Sequence, residues 1–270
     1  MLGFVTGASS GVGQAFADRL AADGWDLHIT ARRGDRLRAL ARQLTEQRGA
    51  RVQVHVADLT DPGDLAGLEE AIAAAGPDLL VNNAGFAGYR EFSHVDPEIL
   101  SGLIDVHVLA VTRLARAAVP AMVTRGSGAI INIASLMAYS GPIPPQPLPY
   151  RATYAAAKAF QVTFAQALAA ELAGTGVRVQ ACCPGLIDTE FHALAGRDLT
   201  ATPFPVMRPE EVVSAALAAL RLGEVICIPG LEEPGMIDTI GHAQQALLLT
   251  AVSSPLASRY QPGPVGRKSR

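Results

Sequence analysis

The chain is short of charge, of cysteine and of long apolar runs. Charged residues make up 17% of its 270 positions and the formal net charge is −3. No basic stripe stands out along it, which argues against nucleic acid as a partner. Its three cysteines, Cys182, Cys183 and Cys227, are odd in number, and two adjoin inside an apolar run. That pattern predicts buried thiols in a reducing compartment, the cytoplasm, and no disulfide framework. The first residues, Met1-Leu2-Gly3-Phe4-Val5, run straight into a strand-like segment without the charged region and cleavage site of a signal peptide. No apolar stretch is expected to approach the roughly 20 residues that cross a bilayer. The longest candidate, 246–252, is far shorter, so no membrane partner is expected. No metal site is expected either.

Apolar residues are plentiful, at 49% of the chain. With this length they suffice for one domain with a large core. Short apolar runs alternate with longer helical patterns. Strands are predicted at 3–6, 26–31, 51–56, 79–81, 129–133, 178–182 and 225–228. Between the first two, Val12, Phe16 and Leu20 recur at i, i+4 and i+8, the period of an amphipathic helix. Gly24, Gly49, Gly76-Pro77 and Gly174/Gly176 punctuate the later repeats of this rhythm. Alternating strands and helices imply an α/β fold, a doubly wound parallel sheet with helices on both faces. The segment 141–149 is too rich in proline for a helix or central strand. The stretch 184–209 reads as a long excursion between a strand and a helix.

The first turn reads Thr6-Gly7-Ala8-Ser9-Ser10-Gly11-Val12-Gly13. Glycines at 7, 11 and 13 follow a strand and open a helix, the setting in which such a motif cradles a dinucleotide pyrophosphate. The helix N-terminus supplies N–H groups and a positive dipole end. The second strand runs into Ala31-Arg32-Arg33, where an NAD-selective site would place a carboxylate on the ribose 2′-hydroxyl. Guanidinium groups bind a 2′-phosphate instead, so NADP(H) is the expected cofactor. Arg32 is the stronger contact, with a hydroxyl from Ser10.

Further on, Tyr154 and Lys158 stand at i and i+4 of a helical pattern, preceded by Ser135. They leave one helix face a turn apart. A nearby ammonium favours the phenolate, so the Tyr154 pKa is expected to fall below its ordinary value of about 10. That makes a proton donor and acceptor matched to carbonyl reduction or alcohol oxidation.

Taken together, these residues resemble the short-chain dehydrogenase/reductase superfamily in its single-domain form, from about residue 2 to about residue 230. Asp58, in Ala57-Asp58-Leu59-Thr60, matches the acidic residue placed against the adenine amine. Asn82-Asn83-Ala84-Gly85 matches the motif after the fourth strand, beside the cofactor ribose. Pro184-Gly185, with Ile187 and Thr189, matches the turn and threonine that hold the nicotinamide carboxamide. The resemblance implies a seven-stranded Rossmann-like domain over 1–261, a substrate-loop region at about 185–209 and a frayed tail at 262–270. It implies cofactor contacts from Gly7, Ser9, Ser10, Gly11, Val12, Gly13, Arg32, Arg33, Asp58, Leu59, Asn83, Ala84, Gly85, Tyr154, Lys158, Pro184, Gly185, Ile187 and Thr189. It also implies a homodimer or homotetramer.

The activity implied is hydride exchange between nicotinamide and the carbonyl or alcohol of a small, mostly apolar substrate. Ser135, Tyr154, Lys158 and His107 are the implied catalytic residues. The rival readings are a non-redox enzyme on the same fold (a dehydratase, cyclase or epimerase) and an NADPH-binding protein without turnover. Two departures from the family pattern stand out. His107 occupies the place of an asparagine that holds a water of the proton relay; it either takes over that role, alters it, or fills a kinked turn as a buried polar group. The proline-rich 141–149 segment lengthens the Ser135–Tyr154 separation and is expected to wall the cleft rigidly. Cleft residues are expected at Leu136, Met137, 144–150, Leu186, Phe191 and His192. The Leu247-Leu248-Leu249 run is taken as core packing, with a cap on the cleft or a subunit contact as alternatives.

Overall fold

The computed structural model describes residues 1–196, 198–199 and 202–261; the expected tail at 262–270 lies outside them. By its contacts the chain divides into two compact units, Met1–Gly230 and Leu231–Arg270. The single domain read from the sequence ran on to residue 261.

The first unit holds a parallel sheet of seven strands. They are β1 (Leu2–Thr6), β2 (Asp26–Ala31), β3 (Val52–Val56), β4 (Leu79–Asn82), β5 (Gly128–Ile133), β6 (Val177–Cys182) and, late in the chain, β9 (Ile226–Cys227). Their order across the sheet is β3-β2-β1-β4-β5-β6-β9, every pair parallel. This is the α/β doubly wound architecture read from the sequence, and each strand lies within a residue or two of its expected limits. Two further short strands, β7 (Leu186–Ile187) and β8 (Val206–Met207), pair with each other inside the 184–209 excursion.

The central strands β1 and β4 are apolar on both faces because helices cover both. Along β1 and β4 the alternation is direct. Val5 and Val81 join one cluster with Phe16 and Leu20 of α1 (Gly11–Ala22), Leu37 and Leu40 of α2 (Gly34–Arg48) and Val212 and Ala216 of α8 (Pro209–Leu222). Phe4 and Leu80 lie outside that cluster and are fully buried. Helices α3 (Pro62–Ala75) and α5 (Val111–Arg125) pack on each other, as do α4 (Pro97–Ile104) and α6 (Ala152–Glu171). Each fully buried leucine, isoleucine or phenylalanine contributes about 1.5–3 kcal/mol, so the sheet is held mainly by these two apolar layers.

Between α4 and α5 the chain makes a π-helical segment, Asp105–Ala110, without leaving the helix axis. The continuous helix Pro97–Arg125 is therefore 29 residues long, with a mean hydropathy of 1.4 over its most apolar window. This corrects the expectation that no apolar stretch approaches membrane-spanning length. Its apolar character has a packing cause: Leu114, Ala115, Ala118 and Met122 are buried, and α5 packs against α3 and β5. It is the core helix of an α/β layer.

The second unit holds α9 (Gly235–Val252) and a turn of 3-10 helix, Ser258–Tyr260. No residue of α9 is buried, and Leu247, Leu248 and Leu249 are exposed. Core packing for that run is thereby overturned.

The first turn explains two of its glycines by space. A Cβ on Gly13 would collide with the Asn83 amide and approach the Gly7 carbonyl oxygen to 2.5 Å; one on Gly7, where φ is 68°, would sit 2.7 Å from Ala84 Cα. Gly67, inside α3, has nothing within 4 Å of such a Cβ. Gly13→Ala is expected to destabilise the fold by about 1–3 kcal/mol through forced displacement. Gly67→Ala is expected to stabilise by about 0.5–1 kcal/mol through helix propensity. Urea midpoints of the two variants check the contrast.

Candidate active site

The site lies at the C-terminal ends of the strands, where β1 and β4 diverge and a doubly wound sheet opens a crevice. Asn83 spans that opening. Its Nδ2 donates to the Thr6 carbonyl at 2.9 Å and the Gly7 carbonyl at 3.3 Å. The N–H groups of Asn83 and Ala84 both donate to Thr6 Oγ1, at 2.9 and 3.0 Å. The glycine turn and the Asn-Asn-Ala-Gly motif are thus one hydrogen-bonded piece. Next to them, Asn82 Nδ2 donates to Asn132 Oδ1 at 3.0 Å in the buried interior.

This half fits a dinucleotide phosphate. Helix α1 carries no acidic residue in its first turn, and its N-cap, Ser10, makes no side-chain bond to the first N–H groups. By contrast Asp61 caps α3 by accepting from Gly63 and Asp64. The positive end of α1 is left open to an anion. Gly11 has φ 55°, and a Cβ there would touch Thr189 Cγ2 at 3.0 Å, so Thr189 lies directly beside the turn.

Of the two arginines after β2, Arg33 reaches the turn. Its Nε donates to Ser9 Oγ at 3.0 Å and its Nη2 to Ser10 Oγ at 2.5 Å. Arg32 is exposed and stands 3.7 Å from Asp58. Burial pushes the Asp58 carboxyl up, but bonds from Thr60 and the Arg32 charge outweigh it and hold the pKa below the usual range. Arg33 Nη1 also donates to Glu190 at 2.8 Å, and Arg36 grips both oxygens of the same carboxylate. Glu190 opens α7 (Glu190–Leu194), one residue after Thr189, and its two guanidiniums, Arg36 first, keep its carboxyl ionised below the usual value. Val12 and Leu59 are buried beneath this region, and Ile187 lies in β7.

In the other half, Ser135 and Tyr154 come together: Ser135 and Tyr89 both act on the buried phenol. Ser135 is placed by capping a 3-10 turn, Leu136–Tyr139, where its Oγ accepts from the Met137 N–H at 3.1 Å. Tyr89 and Phe191 flank the Tyr154 ring at 5.5 and 6.1 Å between centroids, and His107 meets it edge-on at 5.6 Å. Lys158 Nζ lies 5.7 Å from the Tyr154 ring centre. It donates to the Ile133 carbonyl at 2.7 Å and to Gln161 Oε1 at 3.2 Å.

The expected fall in the Tyr154 pKa is overturned. Burial pushes the phenol well above 10, Tyr89 adds to that, and Ser135 pulls the other way. Lys158, whose amine is held against the Ile133 carbonyl and Gln161, does not offset it. Burial in turn pulls the Lys158 amine down to about 7.

His107 is wholly buried in the π-helical segment, and burial first, then the Lys158 charge, holds it well below 6.5 and neutral. Its Nε2 pairs with the Phe86 carbonyl at 2.8 Å, while Nδ1 has no hydrogen-bond partner among the described residues. Gly85 gives it room, since a Cβ there would strike the imidazole. Its burial matches the third expectation, and the unpartnered Nδ1 is an acceptor of the kind a relay water would use.

The proline-rich wall is held by Arg151, which no sequence signal had marked. This buried guanidinium donates to Ser140 Oγ and to the carbonyls of Ser140, Ile143 and Pro149, all within 2.7–2.9 Å. Gln161, Tyr89 and Glu190 were also missed. Gln161 alone left a trace, as a polar residue one turn past Lys158 on the buried face of α6. Pro184 accepts from the Leu136 N–H at 3.0 Å, which ties the Pro184-Gly185 turn to the Ser135 turn. Leu136 and Tyr150 are exposed, Met137, Leu186 and Phe191 half-buried and His192 buried. Among the described residues no group of three His, Cys, Asp or Glu is placed to hold a metal ion.

The family model described as short chain dehydrogenase matches residues 3–199. The sulfoacetaldehyde reductase of Chromohalobacter salexigens is 37% identical over 195 residues, 70% of this chain and 73% of that protein. A solved short-chain dehydrogenase from Sphingobium yanoikuyae in complex with NADPH superposes with a TM-score of 0.89 at 37% identity, covering 96% of this chain and 99% of its own. The bulky-bulky ketone specific alcohol dehydrogenase from Comamonas testosteroni superposes with a TM-score of 0.86 at 31% identity, covering 97% and 98%.

A neutral buried histidine links the site to stability. The folded pKa of His107 lies below the unfolded value of 6.5. Between those two values the unfolded chain binds a proton that the folded chain does not, so stability falls as pH drops below 6.5. His28 and His55, also depressed by burial, act in the same direction. His107→Asn is expected to narrow the difference between urea midpoints at about pH 5.5 and about pH 7.5. An unchanged difference would show that His107 is not held neutral.

Proposed function

The chain belongs to the short chain dehydrogenase family and is an NAD(P)-dependent carbonyl/alcohol oxidoreductase; on that premise we propose that Ser135, Tyr154 and Lys158 carry the reaction, with NADP(H) as the cofactor. One observation supports the assignment above the others: Ser135 acts on the buried Tyr154 phenol and Lys158 Nζ lies 5.7 Å from the centre of the same ring, at the strand ends, on the side where the glycine turn leaves α1 open to phosphate.

When bound, the dinucleotide supplies or accepts a hydride at the carbonyl carbon. Ser135 holds the substrate oxygen by a hydrogen bond. Tyr154 gives that oxygen a proton as negative charge develops on it, and takes the proton back in the oxidative direction. Both hydroxyls are fixed in advance, Ser135 by its turn and Tyr154 by burial, so little reorganisation is needed as charge appears. Lys158 supplies positive charge behind the phenol. Arg32 and Arg33 face the 2′-phosphate of the cofactor, with Ser9 and Ser10 already bonded to Arg33. Gly7, Gly11, Val12 and Gly13 line the pyrophosphate, Asp58 and Leu59 the adenine, and Asn83, Ala84 and Gly85 the ribose. Pro184, Gly185, Ile187 and Thr189 hold the carboxamide.

The substrate is a neutral, moderately hydrophobic ketone or alcohol. Tyr89, Phe191, Leu136 and Met137 give the region around Tyr154 an aromatic and apolar character. The enzyme works in the cytoplasm as a homodimer or homotetramer; the buried free thiols and the exposed leucines of α9 support these two readings respectively.

Tyr154→Phe is expected to keep the fold and cofactor binding while NADPH-dependent turnover of a ketone panel drops by about 10²-fold or more. Near-normal turnover would sink the assignment. Arg33→Ala and Arg32→Ala are each expected to weaken NADPH about tenfold or more while changing NADH little, since only the former cofactor carries the 2′-phosphate. Equal weakening of both cofactors, read by fluorescence titration, would refute the phosphate role.

A further inference from the structure

Helix α6 buries a second polar side chain one turn beyond Lys158. Gln161 is 1% exposed, on a face otherwise made by Ala155, Ala157, Val162 and Ala165. Its amide is used at both ends. Oε1 accepts from Lys158 Nζ at 3.2 Å, and Nε2 donates to the His107 carbonyl at 3.0 Å. Packing alone would be met by an apolar residue, as it is at the four positions around it. The His107 carbonyl belongs to the π-helical segment, and widened turns of this kind form where a foreign side chain enters the backbone ladder.

We propose that Gln161 is a positioning residue for Lys158: its amide holds the amine against the end of β5, ties it to the His107 backbone, and so fixes the charge state that Tyr154 works against. The inference rests on the role proposed above for Lys158. A carboxamide in this geometry accepts at one end and donates at the other, and it passes no proton between them without changing tautomer. Gln161 is therefore a brace and not a relay. His107 takes part through its carbonyl, its side chain being turned to Phe86.

The groups facing Lys158 are few. Tyr154 lies on its own helix and His107, neutral, on the π-helical segment. Cys183 stands just past β6, donating to the Ala181 carbonyl, with Tyr139 of the 3-10 turn and Cys227 of β9 acting on it. Glu98, the charged residue of α4, is exposed. In this setting the Gln161 oxygen, with the Ile133 carbonyl, favours the ammonium form against burial.

The chain has two lysines, Lys158 and Lys268. Lysine labelled with 13C at Cε therefore gives two resonances in the full-length protein, and Lys268→Arg assigns them. In Gln161→Met, an isostere without acceptor or donor, the Lys158 titration midpoint is expected to fall by about 0.5–1 pH unit. The pH limb of alcohol oxidation is expected to move upward with it, because the phenolate loses its cation. In Gln161→Glu, which keeps the acceptor and adds negative charge, the Lys158 midpoint is expected to rise. Midpoints and pH limbs unchanged in both variants would overturn the proposal and leave Gln161 a packing residue. A shift in the glutamate variant alone would overturn it too, as proximity of charge without the amide bond. Should the methionine variant not fold, an unchanged midpoint in the glutamate variant is sufficient to reject it. Turnover that survives Tyr154→Phe would instead fail the proposed mechanism, while the lysine titration still reports on the brace.

Discussion

The Asn83 amide bonded to the Thr6 and Gly7 carbonyls is the interaction from which the site takes its shape. At this point the sheet reverses its winding, and the chain leaving β1 departs from the chain leaving β4. A crevice opens between them, and its two lips would drift apart without a tie. Asn83 supplies one, and Thr6 Oγ1 doubles it by accepting two backbone N–H groups from the opposite lip. The tie is close enough that Gly7 and Gly13 have no room for a side chain. The bare backbone that suits a phosphate is thus also what this clasp requires. One constraint serves structure and binding together.

Two arginines then hold the outer rims, with different firmness. Arg151 is buried and gives four hydrogen bonds to the 140–149 segment. Hydrogen bonds to a charged group contribute about 1.5–3 kcal/mol each, so this wall is tightly fixed. On the other rim, Arg33 and Arg36 bind Glu190 in the open, where ion pairs contribute about 0–1 kcal/mol and are screened by salt. Helix α7 is therefore the looser boundary.

The parts legible in the sequence were those with a period or a spacing. Val12, Phe16 and Leu20 mark a helix because burial repeats every turn. The seven strands stand out because a sheet covered on both faces has to be continuously apolar. Tyr154 and Lys158 are visible because i and i+4 share a helix face. Contacts made by one side chain to a distant carbonyl have no such signature. Arg151 and Gln161 act on backbone atoms that any residue would provide, so nothing in their neighbours announces them. The choice between Arg32 and Arg33 turned on which way the chain rotates as it enters α2, a matter of one residue that no pattern encodes. The 29-residue apolar helix escaped notice because Asp105, Arg113 and Arg116 interrupt its hydropathy while the fold runs through them unbroken.

The catalytic pair shows why position outweighs composition. A phenol beside a lysine suggests a lowered phenol pKa, but burial acts on both groups and in opposite senses. It favours the protonated phenol of Tyr154 and pulls the Lys158 amine down to about 7. A low-dielectric pocket favours the neutral form of each group. A protonated phenol is the form that the reductive direction of the proposed reaction uses, since there the substrate oxygen must gain a proton. Running in the oxidative direction requires the phenol to ionise, and that needs added positive charge nearby. The bonds from Lys158 to Ile133 and Gln161 restore part of it, and an oxidised nicotinamide is cationic where a reduced one is not. On the proposed mechanism the same tyrosine serves as an acid or a base according to the charge placed around it, and the bonds that Lys158 makes bear on that charge.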